Sequence, residues 1–105
     1  MLIVETSIFT RRIQSLISDE HYRLLQLQLI AKPDLGKVIP QSGGLRKVRW
    51  SLSDRGKRGG VRVIYYWAAS RDTLLMLFAY AKNEQDDLTR QQLKLLRNIV
   101  EEEYR

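Results

Sequence analysis

A chain of 105 residues is long enough for one modest hydrophobic core and too short for two, so a single domain over residues 1–105 is expected. Lys and Arg outnumber Asp and Glu by 18 to 12, for a net charge of +6, and the excess sits mid-chain while Glu101–Glu103 is acidic; such a field suits nucleic acid or an acidic protein. The absence of cysteine excludes a disulfide framework and thiolate metal sites, Met1-Leu2-Ile3-Val4-Glu5 lacks a basic leader, and no apolar run nears the roughly 20 residues of a membrane span, so the expectation is a cytoplasmic protein without membrane contact.

In chain order, Leu2–Glu5 is a short apolar run suited to a strand. Thr6 or Ser7 can cap the helix that follows, where Ile8, Phe9, Ile13, Leu16 and Ile17 recur near helical period. Ser18 offers a second cap, and Asp19 and Glu20 place carboxylates at the positive end of the next helix dipole. Its apolar stripe is Tyr22, Leu25 and Leu29, broadened by Leu24 and Leu27. Pro33 disfavours helical geometry at Lys32, so Pro33–Gly36 reads as a turn, followed by a linker through Pro40 and Gly43-Gly44.

Leu45–Leu52 alternates, with Lys47 and Arg49 on one face and Val48 and Trp50 on the other. Val61–Ala68 is apolar on both faces apart from Arg62, the pattern of a central strand, and would display Arg62 beside Lys47 and Arg49. After a turn at Ala68–Asp72, the nearly continuous apolar run Thr73–Ala81 reads as a second central strand. In the last helix Thr89 and Gln92 make a capping box, Leu88 and Leu93 a hydrophobic staple, and Leu93, Leu96 and Val100 with Leu95 and Ile99 the buried side. The element order is β-α-α-β-β-β-α, an α+β chain.

The candidate site lies in Gly43–Trp67, which holds seven basic residues (Arg46, Lys47, Arg49, Arg55, Lys57, Arg58, Arg62) against one acid, Asp54. The loop Gly56–Gly60 is no phosphate loop, because Lys57 is followed by Arg58 rather than Ser or Thr. Tyr65 and Trp67 alternate with Val61 and Val63 and read as core, while Tyr66 shares the face of Arg62.

The order of elements, with Gly43-Gly44-Leu45-Arg46-Lys47-Val48-Arg49, Gly56-Lys57-Arg58-Gly59-Gly60-Val61-Arg62-Val63-Ile64-Tyr65-Tyr66 and Tyr80-Ala81-Lys82-Asn83-Glu84, resembles the HigB-like branch of the RelE/ParE superfamily of toxins from type II toxin-antitoxin systems. The likeness covers nearly the whole chain. It implies a largely antiparallel four-stranded sheet packed against two N-terminal helices and a C-terminal helix. It also implies a nuclease that enters the ribosomal A site of the 30S subunit and cuts mRNA without a metal or other cofactor, is monomeric when isolated, and is held inactive by a cognate antitoxin. The family's paired basic positions fall on Lys47 and Arg49, its strand arginine on Arg62, and the basic end of its last strand on Lys82, with Tyr80 close by. RelE itself has an arginine after that lysine and a tyrosine near the final helix; here Asn83 and Leu88-Thr89 stand there, so the resemblance assigns no general base.

Metal-free RNA cleavage needs a deprotonated 2′-hydroxyl, stabilised charge on a pentacoordinate phosphate and a protonated 5′-oxygen. Arg49 and Arg62 suit the phosphate through the guanidinium fork, and Lys47, Lys82 and Tyr80 are the acid–base candidates, since the sole histidine, His21, lies on a helix outside the basic stretch. Arg46, Arg55, Lys57 and Arg58 suit a grip on RNA or ribosomal RNA. A gyrase inhibitor of the ParE type, or a nucleic-acid-binding module without turnover, would share fold or charge. Only a nuclease needs basic residues from three successive strand segments to converge.

Overall fold

The computed structural model describes residues 1–51 and 60–104. Its elements are β1 (Leu2–Glu5), α1 (Ser7–Leu16), α2 (Asp19–Ala31), β2 (Lys37–Val38), β3 (Arg46–Trp50), β4 (Val61–Ala68), a 3-10 turn (Ala69–Arg71), β5 (Thr73–Ala81) and α3 (Arg90–Tyr104). They form one sheet in the order β1-β5-β4-β3-β2, antiparallel except for the β1–β5 pair. The α+β architecture matches the expectation, with one correction. The sheet has five strands rather than four, because Lys37–Val38, read as linker, pairs with Lys47 and Arg46. Two residues are too few for alternation to register in sequence.

Each helix starts where its cap residues direct. Thr6 Oγ1 accepts from the Phe9 N–H and Ser18 Oγ from the His21 N–H, both at 3.1 Å. Thr89 and Gln92 exchange bonds reciprocally, at 2.9 Å to the Thr89 N–H and 3.1 Å to the Gln92 N–H. Such caps satisfy helix donors that have no partner within the helix, each worth about 1 kcal/mol.

The helices cover both sheet faces. Phe9 and Ile13 of α1, Ile17 just after it, and Leu25 and Leu29 of α2 pack on Val48, Val61, Val63, Tyr65, Leu74 and Met76. On the opposite face Leu96 and Val100 of α3 pack on Leu45, Ile64, Leu75, Leu77 and Tyr80. Leu24, Leu27 and Leu95, read as parts of apolar stripes, are exposed, as is Ile8. A helix resting on one sheet buries a single flank, so residues that broaden the stripe pass its rim.

Tyr65 ties the α2–β2 connection down. Its hydroxyl accepts from the buried Gly36 N–H at 2.9 Å and donates to the Pro33 carbonyl at 2.7 Å. A Cβ on Gly36 would lie 2.9 Å from the Tyr65 ring and 3.0 Å from the Lys47 carbonyl, so the close approach needs glycine.

One irregularity sets the faces of β5. Ile64 pairs with Phe78 and Tyr65 with Met76, leaving Leu77 as an extra residue. Leu77 and Phe78 both join the α3-side cluster, so alternation restarts one residue late.

Candidate active site on the basic sheet face

Strand register assembles the site. Arg49 of β3 stands opposite Arg62 of β4, and Arg62 stands opposite Tyr80 of β5, so one row crosses three adjacent strands. Lys47, two residues before Arg49, lies on the same face opposite Ile64. Four residues singled out from sequence are thereby brought together on the side α3 occupies. The helix begins at Arg90 and leaves this end of the face to Asp86, Asp87 and Leu88.

Burial differs along the row. Arg49 is exposed, Arg62 is only 8% exposed, and Tyr80 is fully buried. Arg62 was expected on display and is instead enclosed, with its Nη1 directed back toward Gly60. Among the described residues neither Arg49 nor Arg62 has an ion-pair partner. Two guanidiniums opposed on neighbouring strands repel, and enclosing one raises the cost of leaving it unpaired. The arrangement is relieved by an anion placed between them.

Sequence reasoning missed one member of the site. Asp87 lies in the turn between β5 and α3, and its carboxylate takes the Lys47 ammonium at 2.6 Å. The Lys47 hydrogen bond and charge, followed by Arg49 and Arg62, hold its carboxyl below the usual carboxylate range. The run Gln85-Asp86-Asp87 ahead of the capping box was the available signal, but nothing in linear spacing joins residue 87 to residue 47. The Tyr80 hydroxyl reaches the Asp86 carbonyl at 3.5 Å. Burial, and secondarily Asp87, push its phenol up, while Arg62 and Arg49 pull it partly back. Tyr80 is therefore a protonated donor at neutral pH.

The other candidates are placed differently. Arg46 points to the α1/α2 side and donates to the Gly36 carbonyl at 2.8 Å, so its guanidinium braces a loop. Lys82 follows β5 and is exposed, with its backbone N–H on the Gly60 carbonyl at 3.1 Å. Arg55, Lys57 and Arg58 lie outside the described residues. Tyr66 is engaged under α3, stacked on Tyr104 with ring centroids 5.7 Å apart.

Beside the row is a cavity of about 900 Å³, whose walls include Lys47, Arg49, Trp50, Tyr80, Asp87 and Leu93. Lys37 and Val38 of β2 border it along the edge of β3. Basic groups, one acid and apolar walls suit a phosphodiester with a base beside it. Among the described residues, no three His, Cys, Asp or Glu side chains are grouped to hold a metal ion, and no helix is long and apolar enough to cross a membrane.

The family model described as the RelE toxin of the RelE/RelB toxin-antitoxin system matches residues 1–104. The match runs through every element that builds the basic face, and the chain belongs to this family of toxins, which are paired with an antitoxin.

Proposed function

We propose that the protein is a ribosome-dependent endoribonuclease of the HigB-like type, which stops translation by cutting mRNA. The observation that carries this reading is the register row Arg49–Arg62–Tyr80, two guanidiniums without a carboxylate partner among the described residues followed by a protonated phenol. A non-enzymatic binder has no use for an enclosed arginine beside a buried proton donor.

In this reading the scissile phosphate lies on the row. Arg49 and Arg62 hold its non-bridging oxygens and stabilise the charge that builds as the 2′-oxygen attacks phosphorus. The 2′-hydroxyl proton passes to the Lys47–Asp87 pair, where an ionised carboxylate adjoins the ammonium. The P–O5′ bond breaks, Tyr80 donates its proton to the departing 5′-oxygen, and the products are a 2′,3′-cyclic phosphate and a 5′-hydroxyl. Lys82, at the exposed end of β5, contributes charge to the backbone that follows. Arg55, Lys57 and Arg58 serve as the grip on ribosomal RNA. The isolated toxin is a cytoplasmic monomer, and its antitoxin neutralises it by placing acidic side chains against the basic face.

The test is expression in cells followed by mapping of mRNA ends, with Arg62→Ala and Lys47→Ala as controls. Codon-phased cuts in translated regions that disappear in both variants are expected. Cleavage at the wild-type rate in both variants would overturn the site. DNA damage with intact mRNA would point instead to gyrase, and absence of toxicity to a binding module.

A further inference from the structure

The basic row ends on β5 at Tyr80, yet among the described residues the C-terminal half of β5 has no neighbouring strand on its outer edge. β1 pairs only as far as Glu5 opposite Met76. The carbonyls beyond are met from the helical side. The Thr6 N–H reaches Met76 O at 3.0 Å, Thr6 Oγ1 reaches Leu77 O at 3.0 Å, and Arg12 Nε of α1 reaches Ala79 O at 2.9 Å. Arg12 does more than fill a vacancy in the ladder. Its Nη2 pairs with Glu84 Oε1, and the same oxygen accepts the Ala81 N–H at 3.0 Å. The Ala81 N–H and the Arg12 hydrogen bond hold the Glu84 carboxyl below the ordinary range. Meanwhile the guanidinium lies 5.3 Å over the Phe78 ring, whose centroid is 6.0 Å from that of Tyr80.

We propose that Arg12, outside the basic row, is a positioning residue for it: one guanidinium fixes the edge of β5 at Ala79, the ring beside Tyr80, and the turn at Glu84 that carries Asp87 to Lys47. Three contacts converge on the segment from Phe78 to Asp87, which supplies the proton donor and the carboxylate of the site. The planar fork with its separate Nε and Nη donors is what allows one side chain to serve a carbonyl, a carboxylate and a ring at once, and a lysine cannot reproduce it. The Thr89–Gln92 box fixes the far end of the same segment, and Gln85 Nε2 joins that box through Gln92 Oε1 at 2.9 Å. Without Arg12 the turn would keep its anchor at α3 and, at the strand, only the Glu84–Ala81 contacts, with no tie from α1.

The catalytic consequence rests on the nuclease reading, and the test separates the two. Arg12→Gln, Arg12→Lys and Glu84→Gln are compared with wild type for mRNA cleavage on programmed ribosomes and for backbone resonances by NMR. Arg12→Gln is expected to lower kcat about ten- to a hundredfold while KM stays within about twofold, because misplacement of reacting groups affects the chemical step and not docking. Arg12→Lys should rescue little of the loss. Glu84→Gln should fall in the same direction, and the double variant should be no worse than Arg12→Gln alone, the signature of one network. Amide shifts should concentrate at Ala79–Asp87. If Arg12→Gln lowers thermal stability but leaves kcat and those resonances in place, Arg12 only holds the fold and the proposal is overturned. If wild type does not cut mRNA, the nuclease reading fails, and the resonances of Tyr80 and Asp87 still decide whether Arg12 positions them. Should Arg12→Gln fail to fold, Glu84→Gln carries the same two readouts.

Discussion

Arg49 and Arg62 occupy directly opposed positions on adjacent antiparallel strands, and neither has a carboxylate partner among the described residues. Stability alone disfavours this arrangement, so the two residues make opposite demands on folding and function.

Arg62→Met is therefore expected to raise the urea midpoint of unfolding, with a gain in unfolding free energy of up to about 1 kcal/mol, since it removes an enclosed charge without an ion-pair partner among the described residues and one side of a repulsive cross-strand pair. The same variant should cut mRNA about a hundredfold more slowly or worse. A lowered midpoint would mean that Arg62 has a stabilising partner in the free protein.

Gly36→Ala should destabilise by about 1–3 kcal/mol, because the new Cβ meets the Tyr65 ring and the Lys47 carbonyl within 3.0 Å. Tyr65→Phe, which removes the hydroxyl serving Gly36 N–H and Pro33 O, should cost a similar amount, about 1–3 kcal/mol, by leaving a buried donor unsatisfied. Combining the two should cost less than the sum, since both break one contact. Chemical denaturation of the three variants measures this.

Alkaline pH should act through the tyrosines. Tyr22, Tyr65, Tyr80 and Tyr104 all have phenols raised above 10.0, chiefly by burial, with Glu5 adding to Tyr22. A raised folded-state value contributes stability that is fully present below the unfolded value and is lost as pH rises through the folded one. The unfolding midpoint should thus hold up to about pH 10 and fall above it, and a spectrophotometric titration should show these phenols ionising later than free tyrosine.

Acid works on the turn that carries Asp87. Asp87 and Glu84 are depressed by Lys47 and by the Ala81 N–H with Arg12, so their stabilising effect is present above the usual carboxylate range and disappears as pH falls through the folded values. Both side chains are well exposed and the stability loss should be small. Amides of residues 81–88 should consequently shift before any global unfolding is detectable by circular dichroism.

Thr89→Ala removes one half of the capping box and should cost about 1 kcal/mol. Because the box anchors the Asp87 turn, activity should drop further than stability suggests, which a comparison with the remote cap variant Ser18→Ala would reveal.

Much of this was legible in the chain. The bounds of β1, β4 and β5, the caps at Ser18 and Thr89, the choice of Thr6 or Ser7 that the structure settles on Thr6, and the shared face of Lys47, Arg49 and Arg62 follow from apolar runs, alternation and capping chemistry, which act over a few residues. Elsewhere local pattern failed for identifiable reasons. Arg46 is adjacent to Lys47 in sequence, but the pleat sends it to the other face, where loop carbonyls use it. Asp87 reaches Lys47 across 40 residues through a turn that no periodicity describes. Alternation counted from Leu74 would put Tyr80 in the core with Met76, and the extra residue at Leu77 is what corrects the parity.

That extra residue also bears on how the chain tolerates change in length. Leu77 and Phe78 face the same way, so losing either would leave a regular strand with Met76 still in the core and Tyr80 still beside Arg62. Uninterrupted alternation through the same nine residues would instead turn Tyr80 inward and offer alanine to the arginines. The bulge thus works as a phase adjuster, letting the half of β5 that holds the core and the half that serves the site drift independently under insertion and deletion.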